Sequence, residues 1–231
     1  FGDKSIGIYK IGAGVIINNT GTGIVEVGES NNPDDPSIGI YSDNVGDTIN
    51  NTGTVISGKK SIGIYSAGGT VNQNGTLNIG NTGVGVYSTN GTVNVGSTAT
   101  FSFGTDGAVG GYGTDSNVGN AAAMNVGNGN YGFILTNGTF VNSPSANITL
   151  GSDSVFVYKS GAGAVTNSAG TILTMTGSDN IGYYTVNGAT VINDGTITGT
   201  AGNNNIGIYN TNGSITNSGR VSVGDSDLEY V

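Results

Sequence analysis

Cysteine and histidine are absent from this sequence. With them go the usual ligands for zinc and haem and the usual thiol nucleophile. No cofactor is expected. A disulfide scaffold is excluded too, so stability must come from elsewhere, such as a long stacked core. Cysteine avoidance suits an exported bacterial chain. Tryptophan is also missing, and proline occurs three times in 231 residues. Charge is scarce: Asp plus Glu number 15 and Lys plus Arg only 6, for a net charge of −9. A nucleic-acid binder needs a basic face to meet phosphates, and six scattered cations cannot build one. No apolar run reaches the ~18 residues that a membrane-spanning helix needs, and no signal-peptide pattern is present. Strong helix formers such as Leu, Glu and Lys are few, and no window carries a helical period.

Glycine is abundant, at 44 residues, alongside Asn, Thr and Ser. Composition alone would permit disorder. The patterning does not, because Val, Ile and Tyr recur in short alternating runs, which is strand material. One phrase returns throughout. SIGIYK stands at Ser5–Lys10, SIGIYS at Ser37–Ser42 and again at Ser61–Ser66, GVGVYS at Gly83–Ser88, NIGYYT at Asn180–Thr185 and NIGIYN at Asn205–Asn210. Looser copies are AVGGYG at Ala108–Gly113, YGFIL at Tyr131–Leu135 and SVFVYK at Ser154–Lys159. Indexed by its aromatic, the slots are Tyr9, Tyr41, Tyr65, Tyr87, Tyr112, Ile134, Tyr158, Tyr184 and Tyr209, with Tyr230 as a tenth. Every step but one lies between 21 and 26 residues. A period in this range marks a repeat architecture.

A second phrase follows each slot, for example TINNTGTVISG at Thr48–Gly58, TVNQNGTLNIG at Thr70–Gly80 and TVINDGTITG at Thr190–Gly199. Each unit therefore holds three short strand-like pieces joined by Gly, Asn, Asp and Ser turns. Three such strands bury nothing alone, but stacked on neighbouring units they enclose a core. The expected fold is all-β: a single-stranded parallel β-helix (a β-solenoid) of about nine coils near 24 residues each. At ~4.8 Å per coil the rod is roughly 45 Å long. It is read as one continuous segment over residues 1–231, truncated at both ends, so a piece of something longer. The single long step places a loop insertion at 28–37, GESNNPDDPS. A milder irregularity, Gly113–Asn125, is expected to lengthen the connection from first to second strand.

Alternation along IGIY predicts Ile62 and Ile64 inside, stacked between Ile38 and Ile40 on one side and Val84 and Val86 on the other. Gly63 and Tyr65 would then point outward. A second register, Asn51, Asn72, Asn94, Asn142, Asn167, Asn193 and Asn217, is expected to hydrogen-bond along the rod through stacked amides.

Repeated S-I-G-I-Y, N-x-G-T turn phrases and the period near 24 together resemble the passenger domains of large bacterial type V autotransporter adhesins, above all the giant fusobacterial outer-membrane adhesins. The resemblance runs from Ser5–Tyr9 to Ser214–Gly224. It implies a right-handed β-helix displayed outside the cell on the bacterial outer surface, with a role in attachment. The translocating barrel of that family has no counterpart in this sequence, nor does a GDSGS-type serine-protease motif.

The function expected is that of an adhesin passenger segment, a rigid β-helix mediating attachment to other bacteria or host cells through protein or glycan receptors. Candidate contact residues are the tyrosine column (Tyr9, Tyr41, Tyr65, Tyr87, Tyr112, Tyr158, Tyr184, Tyr209) and Asp34 and Asp35 in the insertion. Tyrosine offers apolar area with a polar tip, which suits sugar faces and protein partners. The same column would serve equally as a stacking ladder that stiffens one corner. Insertions in solenoids become loops, often on the binding face. Asp106, Asp153, Asp179 and Asp225 fall in the turn before the first strand, where a solvated turn role and cation attraction are both open. The calcium nonapeptide and the EF-hand loop are absent. The alternative is a non-binding spacer or extracellular fibre subunit. A polysaccharide-active enzyme comes third: paired carboxylates at a working separation are missing, and Arg220 is the only arginine. The chain is not expected to be an enzyme. Ends cut mid-repeat expose strand edges, so end-to-end self-association is expected.

Overall fold

The computed structural model describes residues 4–32, 34–144 and 146–224. Three strands recur in each of nine coils, from Ile6–Lys10 in the first to Arg220–Ser222 in the last. Each strand pairs in parallel with its counterpart one coil away, as in Ile62–Ala67 with Val84–Thr89. First strands form one nine-stranded sheet and second strands another. This is the parallel β-solenoid that the repeat implied. Tyr230 and Asp225 lie outside the described residues, as do Pro33 in the insertion and Ser145.

Stacking is residue on residue: Tyr41 pairs with Tyr65, Tyr65 with Tyr87, Asn50 with Asn72. Most coils contribute an apolar side chain from each of their three strands to one continuous core. In the third coil these are Ile64, Val71 and Leu77, none more than 1% exposed. Burying such a side chain contributes about 1.5–3 kcal/mol before entropy is subtracted. β-Branched residues fit a repeated pleated slot with little rotamer loss.

The orientation of IGIY departs from simple alternation. Ile64 points inward and Tyr65 outward, as expected, but Ile62 lies on the outside and Gly63 within. Pairing with the next coil runs through Ile62, Ile64, Tyr65, Ser66 and Ala67 and passes over Gly63. The strand bends there, so two successive residues face the core. A side chain at Gly63 would put its Cβ 2.6 Å from the Gly85 carbonyl oxygen and 3.4 Å from Val55 Cγ1. The glycine in SIGIY is therefore required by close approach of backbones. The leading serine or asparagine ties the corner: Ser61 Oγ donates to the Gly28 carbonyl (2.8 Å), and Asn130 Nδ2 to those of Gly104 and Val126.

The loose copies compensate one another. Gly111 stands where most other coils carry Ile or Val, and the Phe133 ring of the next coil fills that space, 2.8 Å from where a Cβ would be. Phe156 occupies a glycine slot. Its ring packs with Phe133, Phe140 and Tyr183 at centroid distances of 5.7–5.9 Å, T-shaped in each case, an arrangement that aromatic quadrupoles favour.

The third sheet is interrupted. It splits into four strands ending at Thr100–Phe103 and five starting at Met124–Gly127. Across this seam the turn from second to third strand shortens, and the strand from Met124 carries a register shift between Asn125 and Gly127. Gly113–Asn125 does not lengthen the connection from first to second strand: Asp115 and Ser116 span it, just as Asn90 and Gly91 do one coil earlier. The irregularity is spent on the third strand instead.

Candidate functional site

The outer face of the first sheet carries an aromatic column and a β-branched column, with a third, mainly polar one at the strand ends (Ala67, Thr89, Thr114, Thr136, Ser160 and Val186). Tyr9, Tyr41, Tyr65, Tyr87 and Tyr112 stack ring on ring at 4.9–5.4 Å. Tyr158, Tyr184 and Tyr209 form a second run at 4.8–5.2 Å. Ile134 separates the two runs, pairing with Tyr112 on one side and Tyr158 on the other. Within a run the ring planes lie 5–30° from parallel. Ring faces are therefore spent on each other, and edges and hydroxyls are what a partner meets. Stacking on the flat of a sugar is confined to the ends of the runs. Burial raises the phenol pKa of Tyr41 and Tyr87; the Asp43 carboxylate adds to it at Tyr41, and neighbouring rings add to it at both, so these two phenols are neutral at physiological pH.

Beside the aromatic column runs a second, of which alternation had placed Ile38, Ile62 and Val84 in the core: Ile6, Ile38, Ile62, Val84, Val109, Tyr131, Val155, Ile181 and Ile206. All but Val109 are partly or fully exposed. Tyr183, by contrast, points inward and is completely buried, its hydroxyl donating to Asn167 Oδ1 (2.8 Å). The other two sheets present mainly Thr, Ser and Asn outward, for example Thr48, Thr70 and Thr92 on the second and Thr54, Thr76 and Thr100 on the third. The aromatic and β-branched columns are free of charged side chains, with Asp43 exposed beside Tyr41 at their edge, and the other two sheets are mainly polar outside, with exceptions such as Ile16, Ile24 and Ile172. The end coils expose these two columns most (Ile6, Tyr9, Ile206 and Tyr209), and between them, Val109 apart, both columns are half-buried.

Asp34 and Asp35 do not join this face as a cluster. The insertion folds on itself around Ser30, whose Oγ donates to the carbonyls of Asn32 (2.7 Å) and Asp35 (2.9 Å). Asp35 pairs with Lys4 at 2.9 Å, a partly exposed ion pair of the kind worth under about 1 kcal/mol. Asp34 is exposed, its amide held by Asn32 Oδ1. Asp153 and Asp179 sit at turn positions with φ of 56° and 59°, and their amides donate to the next coil's Ser178 and Asn203 carbonyls. Left-handed backbone is a position that Asp and Asn tolerate, so both have a turn role. Among the described residues no three acidic side chains gather as a cation site.

The asparagine register proves to be two. Inside the corner between second and third strands, Asn19 bonds Asn51, and Asn51 bonds Gln73. The run resumes from Asn120 through Asn142, Asn167 and Asn193 to Asn217. Val95 interrupts it in the coil beside the seam. Asn72 and Asn94, expected in this set, instead form an outer ladder with Asn18 and Asn50.

No protein-family model, curated protein or solved structure matches the chain. The reading of its function rests on its own geometry.

Two lysines went unnoticed in the sequence. YKIGAG at Tyr9–Gly14 and YKSGAG at Tyr158–Gly163 repeat one motif. In both, the ammonium turns onto loop carbonyls: Lys10 onto Ile11 and Gly12, Lys159 onto Gly161 and Ala162. Lys159 is buried, and desolvation holds its pKa below the usual lysine value. The repeated GAG after the tyrosine was the available signal. A groove of about 570 Å³ follows the seam, lined by Thr98, Phe101, Met124 and Asn147 among others.

Proposed function

We propose that this chain is a segment of a bacterial cell-surface adhesin. It is a rigid, non-catalytic rod, displayed outside the cell, whose first-sheet face is the contact surface for attachment to other bacteria or host cells. One observation carries the reading. A chain with net charge −9 devotes one of its three faces to Ile, Val and stacked Tyr without an acidic or basic side chain in either column. The other two faces show that Thr and Asn satisfy the fold equally well outside. Resemblance of SIGIY and its period to autotransporter passenger domains points the same way.

The test is saturable binding of the folded segment to partner bacterial and host cells, with and without competing sugars. Ile62→Lys combined with Ile181→Lys is expected to abolish binding while leaving the β-sheet circular dichroism intact. Equal binding by that variant would sink the proposal for this face and direct attention to the loop of Asp34 and Asp35. A spacer or fibre subunit is the second reading. The asparagine ladders favour it, since their amides stiffen the rod and bind nothing outside it.

A further inference from the structure

We propose that the first-sheet face pairs with the same face of a second copy, the two rods lying side by side, parallel and in register. The inference rests on the reading of this face as a contact surface; parallel rods point the same way, so the copy it names is a neighbour that covers the face when no receptor does.

Area comes first. Nine strands at ~4.8 Å spacing span about 38 Å, and a six-residue strand spans about 18–20 Å. The face therefore offers roughly 700 Å² per copy. Two copies would bury about 1,400 Å², inside the range of stable interfaces. Charge comes second. Two copies of an acidic chain repel wherever their carboxylates meet, and this face carries none in its two columns.

Shape decides the arrangement. A tyrosine column beside a β-branched column is a ridge beside a valley. A two-fold axis along the rod, midway between the columns, lays each copy's ridge in the other's valley. Sheets packed face to face this way sit ~10 Å apart. One coil reverses the pattern. In Tyr131–Thr136 the valley position carries Tyr131 and the ridge position carries Ile134. In the parallel, in-register pair Tyr131 of one copy meets Ile134 of the other, and large still faces small at every coil. A slip of one coil would set Tyr131 against a tyrosine and leave Ile134 facing Val109 or Val155. The reversed coil thus fixes the register.

Sedimentation of the segment at rising concentration reads the pairing. The chain lacks cysteine, so single spin labels at Asn18→Cys and Asn94→Cys report geometry from the polar second sheet. A dimer whose two same-site distances agree within a few ångströms is expected. Ile134→Tyr, which fills the notch and joins the two tyrosine runs, is expected to weaken the dimer at least tenfold with the fold no less stable than wild type. Ile62→Lys with Ile181→Lys should stay folded and lose the side-by-side dimer, leaving only whatever end-to-end association the wild type shows. A wild-type monomer at about 100 µM would overturn the pairing, as would same-site distances differing by tens of ångströms or a dimer indifferent to Ile134→Tyr. Cell binding by a folded wild-type monomer that Ile62→Lys/Ile181→Lys abolishes would leave the contact surface standing with a different partner. Cell binding that survives those lysines would remove both.

Discussion

Asn167 binds four side chains, and replacing it tests whether the inner ladder holds the coils together. Its Nδ2 donates to Asn193 Oδ1 at 2.7 Å. Its Oδ1 accepts from Asn142 Nδ2 (3.2 Å), Thr171 Oγ1 (2.5 Å) and the Tyr183 hydroxyl (2.8 Å). All of these groups are at most 1% exposed. In Asn167→Val, Thr171 keeps its bond to the Ser168 carbonyl, but Tyr183, Asn142 and Asn193 each lose a partner in a dry interior. An orphaned buried group costs about 1–3 kcal/mol, so the variant should lose roughly 3–6 kcal/mol. Val95 shows how part of this is recovered: beside it Gln73 and Asn120 turn onto their own Gly75 and Ala122 carbonyls. Tyr183→Phe removes one orphan and should cost about 1–2 kcal/mol alone. The double variant should cost about 1–2 kcal/mol less than the sum, because the hydroxyl no longer needs its acceptor. Urea unfolding followed by circular dichroism and tyrosine fluorescence measures all three. A loss under about 1 kcal/mol for Asn167→Val, or strict additivity in the cycle, would refute the ladder as a source of stability.

The remaining expectations concern the glycine bend, the buried lysine, the tyrosine stack and the ends. Gly63→Ala should destabilise by about 2 kcal/mol or more, since the clash is with the Gly85 carbonyl oxygen rather than a movable side chain; a melting temperature within a degree of wild type would contradict it. The pKa of Lys159 is depressed in the folded state, so unfolding takes up protons, and stability should rise with pH over a window that ends near the unfolded lysine value, about 10.4. Above about pH 10 the raised pKa of Tyr183 reverses the sign, because the unfolded chain ionises its tyrosines first. Lys159→Met should flatten the rise below pH 10, measured by urea midpoints across pH. Tyr65→Ala removes two ring stacks, Tyr41 and Tyr87, at about 0.5–1.5 kcal/mol each, and a cooperative fold should survive it by circular dichroism. End-to-end association of the fragment should appear as species beyond a dimer in sedimentation, and should persist in Ile62→Lys/Ile181→Lys, which touches only the side face.

Much of the fold was legible because a solenoid repeats one local problem. The tyrosine slots sit in register coil by coil, and every strand of the IGIY phrase pairs with the next. The contact face was harder to read. Strict alternation sent Ile62 inward, and only the bend at Gly63 turns it out beside Tyr65. Asn72 and Asn94 stand third in TVNQ and TVNV, whereas the inner amides stand fourth in their strands, as Asn51 does in TINN. One residue along a strand reverses the face, which puts them in the outer ladder.

Period, strand chemistry and turn residues are local properties, so the sequence by itself determined the stacked parallel coils, their number and the tyrosine register. Which side chains face water at a corner depends on how close two backbones approach, and that distance exists only in the assembled stack. The tertiary structure alone therefore decided the apolar face, the two separate asparagine ladders, the seam in the third sheet, and the fit of Gly111 to Phe133 across coils.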